Sequence, residues 1–400
     1  CSRMRKYLYI LISWLLALPL AAQSDSLKAS LLTCAPGTKS YELYGHTALR
    51  IQNTKTGDDW VFNYGIFSFQ DVGRFTWEFT LGKADYILGV TSFPDFSAEY
   101  TERQRPVREQ KLNISSQQAA ELFQNLVLNA QPENRSYRYN FLRDNCTSRA
   151  IDMIGKVAPF ALPADKQPST TYRDIIHSYT QDSPWLEFGQ DLILGCDVDT
   201  LLNQHARMMF PLLAEQMLTQ ATTKDSLGNS IPLLKDETIV VNVPQAAPSA
   251  TPFTPLMVAI LLLCSTVALS WTELRTGRVF RLFDNTLMLV QGLAGLVVFV
   301  LFFFSAQPAV GSNWLIGVLN PLPLVWLPIK IMRERRGLQD YYFPLYGTLA
   351  AVFTLAVAGL QLQIVPTAML LLALCLLMRG LISIIRWRCR PLLAGTSSDK

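Results

Sequence analysis

The sequence predicts an α+β exported domain followed by an all-α membrane bundle of five spans. Three features carry that reading: an export-type leader, a central stretch of soluble composition, and a run of apolar segments behind it. Half of the 400 residues are hydrophobic, yet residues 30–240 read as a soluble chain and 253–386 as membrane, so the average hides a boundary. The net charge of +4 is small for this length and gives no reason to expect a nucleic-acid partner.

The leader has a positive end at Arg3, Arg5 and Lys6, an apolar stretch from Tyr7 to Leu18, and small residues Ala21 and Ala22 before Gln23. Met4 reads as the start of translation, which makes Cys1 an artefact of the start assignment. No Leu-x-x-Cys lipobox follows the apolar stretch, and that stretch is short for a span. Ordinary cleavage near Ala22 is therefore expected, with a signal peptide over 1–22. The exported domain then runs over 23–243, a Pro/Ala/Ser/Thr-rich linker over 244–253, the spans over 254–386 and a tail over 387–400.

Five segments are apolar enough to cross a bilayer: 254–272, 286–305, 313–329, 342–360 and 364–385. Pro321 and Pro323 interrupt the third, which is expected to kink or re-enter. Arg275, Arg278 and Arg281 lie between spans one and two; Lys330, Arg333, Arg335 and Arg336 lie between three and four; Arg386, Arg388, Arg390 and Lys400 follow the fifth. The loops at 306–312 and 361–363 hold neither Lys nor Arg. Positive charge stays inside, so the C-terminus is expected in the cytoplasm, and an odd number of spans puts residues 23–252 outside.

Within the exported part, residues 26–33 read as a short helix or an extended segment. His46 to Gln52 and Trp60 to Tyr64 alternate as two strands of a hairpin around Lys55-Thr-Gly-Asp58. The aromatic-rich stretch 72–90 suggests strands and a short helix, and 105–114 another strand. Ser115 starts a helix continuing to Leu128, and Asp144 and Asn145 can cap a second from Cys146 to Val157. The cap puts Cys146 in a first helical turn, where backbone N–H groups and the helix dipole favour thiolate over thiol.

A thiol and an imidazole, Cys146 and His46, are the chemistry-bearing pair. His177 reads as structural, and His205 as structural or part of a membrane-facing surface. Three scattered histidines with no CxxC or HExxH give no metal site, and there is neither a phosphate-binding glycine loop nor a GxSxG elbow. Of Cys34, Cys146 and Cys196, one pair can form a disulfide; if Cys34 joins Cys196, Cys146 stays free, and all three reduced is the other possibility.

Four runs carry a resemblance: Leu32-Thr-Cys-Ala-Pro-Gly37, Tyr44-Gly-His-Thr-Ala-Leu-Arg50, Phe62-Asn-Tyr-Gly-Ile-Phe67 and Asp144-Asn-Cys-Thr147. They resemble the exported domain of the lipoprotein N-acyltransferases of Bacteroidota. The membrane part is similar too, at Asn313-Trp314 and Asn320-Pro-Leu322. More distantly, the order His then Cys is similar to the permuted NlpC/P60 (papain-like) acyltransferases. The resemblance implies an α+β papain-like domain, of permuted NlpC/P60 type, in which His46 and Cys146 meet where a strand packs on a helix. A third polar residue should orient the imidazole from the strand after His46. Asn63 and Tyr64 are the candidates, and they point to opposite faces. Tyr64 is the one expected.

The resemblance further implies a location at the inner membrane and a reaction. Acyl-CoA and ATP are not expected outside the cytoplasm, so the donor is a membrane phospholipid ester and no cofactor is needed. Cys146 takes the acyl chain as a thioester and passes it to the α-amine of a diacylglyceryl lipoprotein. Asn313 and Asn320 are expected to hold lipid tails or to join helices, and Arg149 to contact a phosphate or form an ion pair. The competing readings are a membrane-anchored cell-wall amidase or peptidase and a non-catalytic lipid-binding scaffold.

Overall fold

The structure is a computed structural model that describes residues 26–67, 71–164, 170–246 and 251–394, without the side chains of Val72 and of 387–394. The expected signal peptide lies outside the described residues. The chain forms two compact units, residues 1–169 with 202–248, and residues 170–201 with 249–400.

The elements begin with β1 (Leu27–Cys34), β2 (His46–Asn53), β3 (Asp59–Ile66), α1 (Val72–Thr80), β4 (Asp85–Ser92), α2 (Phe93–Glu102), β5 (Val107–Leu112), α3 (Ser116–Asn129), β6 (Ser136–Arg138), α4 (Cys146–Val157) and β7 (Phe160–Ala161). They continue with α5 (Tyr172–Thr180), α6 (Pro184–Ile193), α7 (Gln204–Arg207), α8 (Pro211–Thr219), β8 (Thr222–Lys224), β9 (Ser230–Pro232) and β10 (Leu234–Val241). Five helices follow: α9 (Pro255–Thr276), α10 (Arg281–Phe304), α11 (Leu322–Arg335), α12 (Thr348–Gly359) and α13 (Thr367–Ala394).

The first unit is an antiparallel sheet in the order β10-β5-β1-β2-β3-β4-β6. Period-two alternation gives it two apolar faces. Leu31, Leu49, Phe62 and Tyr64 on one face pack with Leu122 and Leu126 of α3 and Ile151 and Ile154 of α4. Leu32, Ala48 and Val61 on the other pack with Phe96 and Tyr100 of α2. Each of these large side chains is buried, which contributes roughly 1.5–3 kcal/mol apiece before chain entropy is counted. The hairpin of β2 and β3 is present, and residues 27–34 are extended, as a strand flanked on both sides. No local pattern marks β10 in advance: Lys235, Asp236 and Glu237 run without alternation, and they are the exposed charges of an edge strand.

The second unit holds five helices long and apolar enough to cross a membrane, over Pro255–Thr276, Arg281–Phe304, Trp314–Arg335, Tyr342–Gly359 and Thr367–Arg386. The third is broken as its prolines imply: a 3-10 turn at Trp314–Gly317 ends before Pro321, and α11 starts after it. Gly295 of α10 makes this crossing possible, because a Cβ there would collide with the Asn320 backbone. Buried charge is paired: Arg379 of α13 donates to Asp284, Glu273 and Ser270, and Lys330 to Asn285 and Glu334.

Residues 170–201 pack with these helices. Asn313 Nδ2 donates to the Leu192 carbonyl at 2.8 Å, the Gly195 N–H to the Ala309 carbonyl at 2.7 Å, and Gln363 Nε2 to the Leu194 carbonyl at 3.1 Å. Arg173 is buried beneath, bound to Asp191 and Asp199.

Candidate active site

Cys146 is the first residue of α4, and the cap before it fixes its place. Asn145 has extended backbone, and its Oδ1 accepts from the N–H groups of Thr147 at 2.9 Å and Ser148 at 3.1 Å. Ser148 Oγ accepts from the Asn145 N–H at 2.8 Å, which closes the capping box. The Asn145 amide donates to the carbonyls of Phe141 and Met209, both at 2.9 Å. The cap therefore uses the second and third N–H groups of the helix and not that of Cys146. Asp144 does not share the capping: it holds Arg149 in a two-point ion pair at 2.7 Å. The Arg149 guanidinium also lies 3.8 Å from the Tyr137 ring, so it is engaged by protein on both counts.

The helix start is tied to β2 by a hydrogen bond between the buried hydroxyls of Thr47 and Thr147 at 3.0 Å. His46, one residue before Thr47, is thereby brought to the thiol. Its Nε2 is 3.2 Å from Asn63 Oδ1, which leaves Nδ1 as the ring nitrogen free for sulfur. Burial pushes the Cys146 thiol up. The charge and hydrogen bond of His46, the Thr47 N–H and the Thr147 hydroxyl, 3.8 Å from Sγ, outweigh it and bring the thiol down to about 7.

The polar side chain that meets the imidazole is that of Asn63, and the expected Tyr64 lies elsewhere. β2 and β3 pair with Phe62 beside Leu49, so Asn63 falls beside Ala48, on the face that His46 shares. Tyr64 points the other way, into the core, where its hydroxyl donates to Asn129 Oδ1 at 2.7 Å.

Two groups beside Cys146 were not singled out from the sequence. Gly65 has φ +86° at a register shift between Asn63 and Ile66, and a Cβ built there would lie 3.5 Å from Cys146 Cβ and 3.8 Å from the Tyr137 hydroxyl. That Tyr137 hydroxyl is buried and has no hydrogen-bond partner among the described residues. Burial first, and then the charge of Cys146, push it upward, so it stays a protonated donor. A tyrosine two places after a loop arginine carries no motif, and only the unsatisfied oxygen marks it.

The remaining candidates are placed elsewhere. Cys34 and Cys196 are free thiols, not a disulfide. Cys34 is fully buried in β1 with its sulfur hydrogen-bonded to the Tyr100 hydroxyl, and burial pushes it up to about 12, an inert state. Cys196 starts a 3-10 turn in the second unit. Asn313 caps the turn at Trp314, its Oδ1 accepting from the Leu315 N–H at 3.0 Å. Asn320 Nδ2 donates to the Ile316 carbonyl at 3.0 Å. Both thus satisfy backbone at the break in the third span. His177 is bound to Asp191 at 2.9 Å. Among the described residues no group of three His, Cys, Asp or Glu could hold a metal ion.

A cysteine at a helix start lies beside a histidine and its amide partner, on a sheet-containing unit of a chain that also holds five helices apolar enough to cross a membrane, which defines a membrane protein with a periplasmic-type α+β domain. Residues 20–178 match the Lnb N-terminal periplasmic domain, and residues 247–388 match the Lnb transmembrane domain. The chain belongs to this family, the Bacteroidota-type Lnb lipoprotein N-acyltransferases. No curated protein and no solved structure matches it.

Proposed function

We propose that the protein moves an acyl chain from a membrane phospholipid, through a Cys146 thioester, to the α-amine of diacylglyceryl-cysteine lipoproteins. The observation that carries this is the lowered thiol of Cys146 beside His46, whose Nε2 meets Asn63, in a chain of this family. The site lies on the periplasmic face of the inner membrane and the C-terminus in the cytoplasm, in accord with the basic residues that follow the first, third and fifth spans.

In the first half-reaction His46 takes the thiol proton, and sulfur attacks the ester carbonyl. The ester C–O bond breaks, His46 returns the proton to the leaving alkoxide, and lysophospholipid departs. In the second half, the free amine attacks the thioester, the C–S bond breaks, and the proton lost by nitrogen passes through His46 back to sulfur. Ester to thioester is nearly balanced and thioester to amide is downhill, so no cofactor enters. Asn63 accepts from Nε2–H and so holds the imidazole tautomer with Nδ1 toward sulfur.

The oxyanion of each tetrahedral intermediate needs donors. The Cys146 N–H at the helix start is one, and the unpaired Tyr137 hydroxyl is the second. Tyr137→Phe keeps the ring under Arg149 and removes one donor. It is expected to lower kcat about 100-fold with little change in thiol alkylation rate, measured by single-turnover acylation beside iodoacetamide labelling. Equal acylation rates in the two proteins would remove Tyr137 from the mechanism.

The direct test is mass spectrometry of the purified protein after incubation with phospholipid vesicles. One acyl chain on the peptide carrying Cys146, released by hydroxylamine, is expected. A site that stays unacylated while peptidoglycan fragments are cleaved would support the amidase reading instead.

A further inference from the structure

The two buried threonines beside the thiol, Thr47 of β2 and Thr147 of α4, do more than tie their elements together. Their hydroxyls are 3.0 Å apart, the residues are 1% and 0% exposed, and the Thr147 oxygen stands 3.8 Å from Cys146 Sγ. Neither hydroxyl has another hydrogen-bond partner among the described residues. Other helical threonines of this unit behave differently. Thr101 of α2 and Thr219 of α8 return their hydroxyls to carbonyls four residues back, those of Ser97 and Glu215. Thr147 lies in the first turn of α4, with no helical turn before it, and makes no such bond.

A buried hydroxyl hydrogen must find an acceptor in the protein, because water does not reach it. Two such hydrogens are present, and the acceptors they meet are the two hydroxyl oxygens and the sulfur. If Thr147 donated to Thr47, the Thr47 hydrogen would have no acceptor. The opposite direction satisfies both: Thr47 donates to Thr147, and the Thr147 hydrogen is left for sulfur. Thr47 also gives its backbone N–H to the sulfur, which therefore receives a donor from each threonine. Such donors favour the thiolate, which accepts more strongly than the thiol.

We infer that Thr147 is a catalytic residue that holds the Cys146 thiolate through its hydroxyl, and that Thr47 is a positioning residue whose hydroxyl fixes the direction of that bond. These roles rest on Cys146 as the proposed nucleophile and on no particular acyl donor or acceptor. The titratable groups around the sulfur are His46 of β2, Cys34 of β1, Tyr86 of β4, Tyr137 of β6 and Tyr139. Burial pushes the last four up, so they stay neutral while the Cys146 thiol titrates. With His46 intact, a midpoint that differs between threonine variants reports the hydroxyls.

The test is the rate of iodoacetamide alkylation of Cys146 in the full-length protein, from about pH 5 to about pH 10. With Thr147→Val the midpoint is expected to rise from about 7 toward about 8, because a donor to the charged form is lost. Alkylation at pH 7 should then slow about 3- to 5-fold, and the deficit should vanish near pH 10, where both proteins are ionised. Thr147→Ser keeps the hydroxyl and should restore the wild-type midpoint. Thr47→Val keeps the donor to sulfur but loses its direction, so its midpoint should fall between those of wild type and Thr147→Val. A wild-type midpoint in Thr47→Val would overturn the positioning role. Thr147→Val also leaves the buried Thr47 hydroxyl without an acceptor, and should unfold at a lower temperature than Thr47→Val/Thr147→Val, where none is left over. The double variant should still keep the raised midpoint; if its midpoint stays at about 7, the pair is only a structural tie and the inference is overturned. A raised midpoint in Thr147→Val, beside a wild-type protein that takes no acyl chain from phospholipid, would uphold the hydroxyl series and end the transferase reading.

Discussion

Replacing Cys146 by Ser is expected to abolish acyl transfer, lowering its rate by on the order of 10⁴- to 10⁶-fold. The thiol sits at about 7, so near neutral pH about half of it is thiolate. A serine hydroxyl in the same place ionises far above any working pH, and the donors that hold the sulfur cannot close that gap. The substitution is nearly isosteric and leaves the Asn145 cap and the Thr47–Thr147 bond untouched, so lost activity would not report unfolding. The readout is the N-terminus of cellular lipoproteins, in cells with no redundant enzyme. Loss of the amide-linked chain is expected with Cys146→Ser. Lipoproteins that keep it would sink the proposed reaction.

Replacing His46 by Gln carries the second large effect, because the charge and the hydrogen bond of His46 do the most to offset burial of the thiolate. In the wild type, alkylation of Cys146 should rise with pH through about 7. With His46→Gln, burial acts with less opposition, and the midpoint should move above the ordinary thiol value of 9.0. The sign is fixed: a group that favours the charged form lowers the thiol, so its removal raises it. At pH 7 the thiolate fraction, and with it the alkylation rate, falls about 100-fold. Acyl transfer should fall further, about 10³- to 10⁴-fold, since the proposed base is also gone. A profile of iodoacetamide rate against pH separates the two effects, and an unmoved midpoint would show that His46 does not touch the thiol's ionisation.

Much of this site was legible in local sequence. Asn145 before a run with helical periodicity fixed a helix start, and the start put Cys146 where backbone donors gather. His46 opened an alternating stretch, which fixed a strand and the end of it that carries the imidazole. The choice between Asn63 and Tyr64 was not legible. It depends on which face of β3 meets which face of β2, and pairing register is a relation between two strands that neither strand contains. Tyr137 was hidden for a similar reason: a three-residue strand at the sheet's far edge shows its role only through what its hydroxyl fails to touch.

The membrane part divides the same way. Apolar length determined five segments fit to span, since a bilayer reads composition along each segment independently. The partners of Arg379, and the packing of residues 170–201 against the bundle, were decided only by tertiary structure. So was the state of the other thiols: Cys34, offered by counting as a disulfide half, lies sealed between a sheet and Tyr100. Sequence by itself determined which groups this protein has for its chemistry and on which elements they ride. Tertiary structure decided which of them meet, because contact between distant segments follows from register, face and burial, which arise only when the whole chain packs.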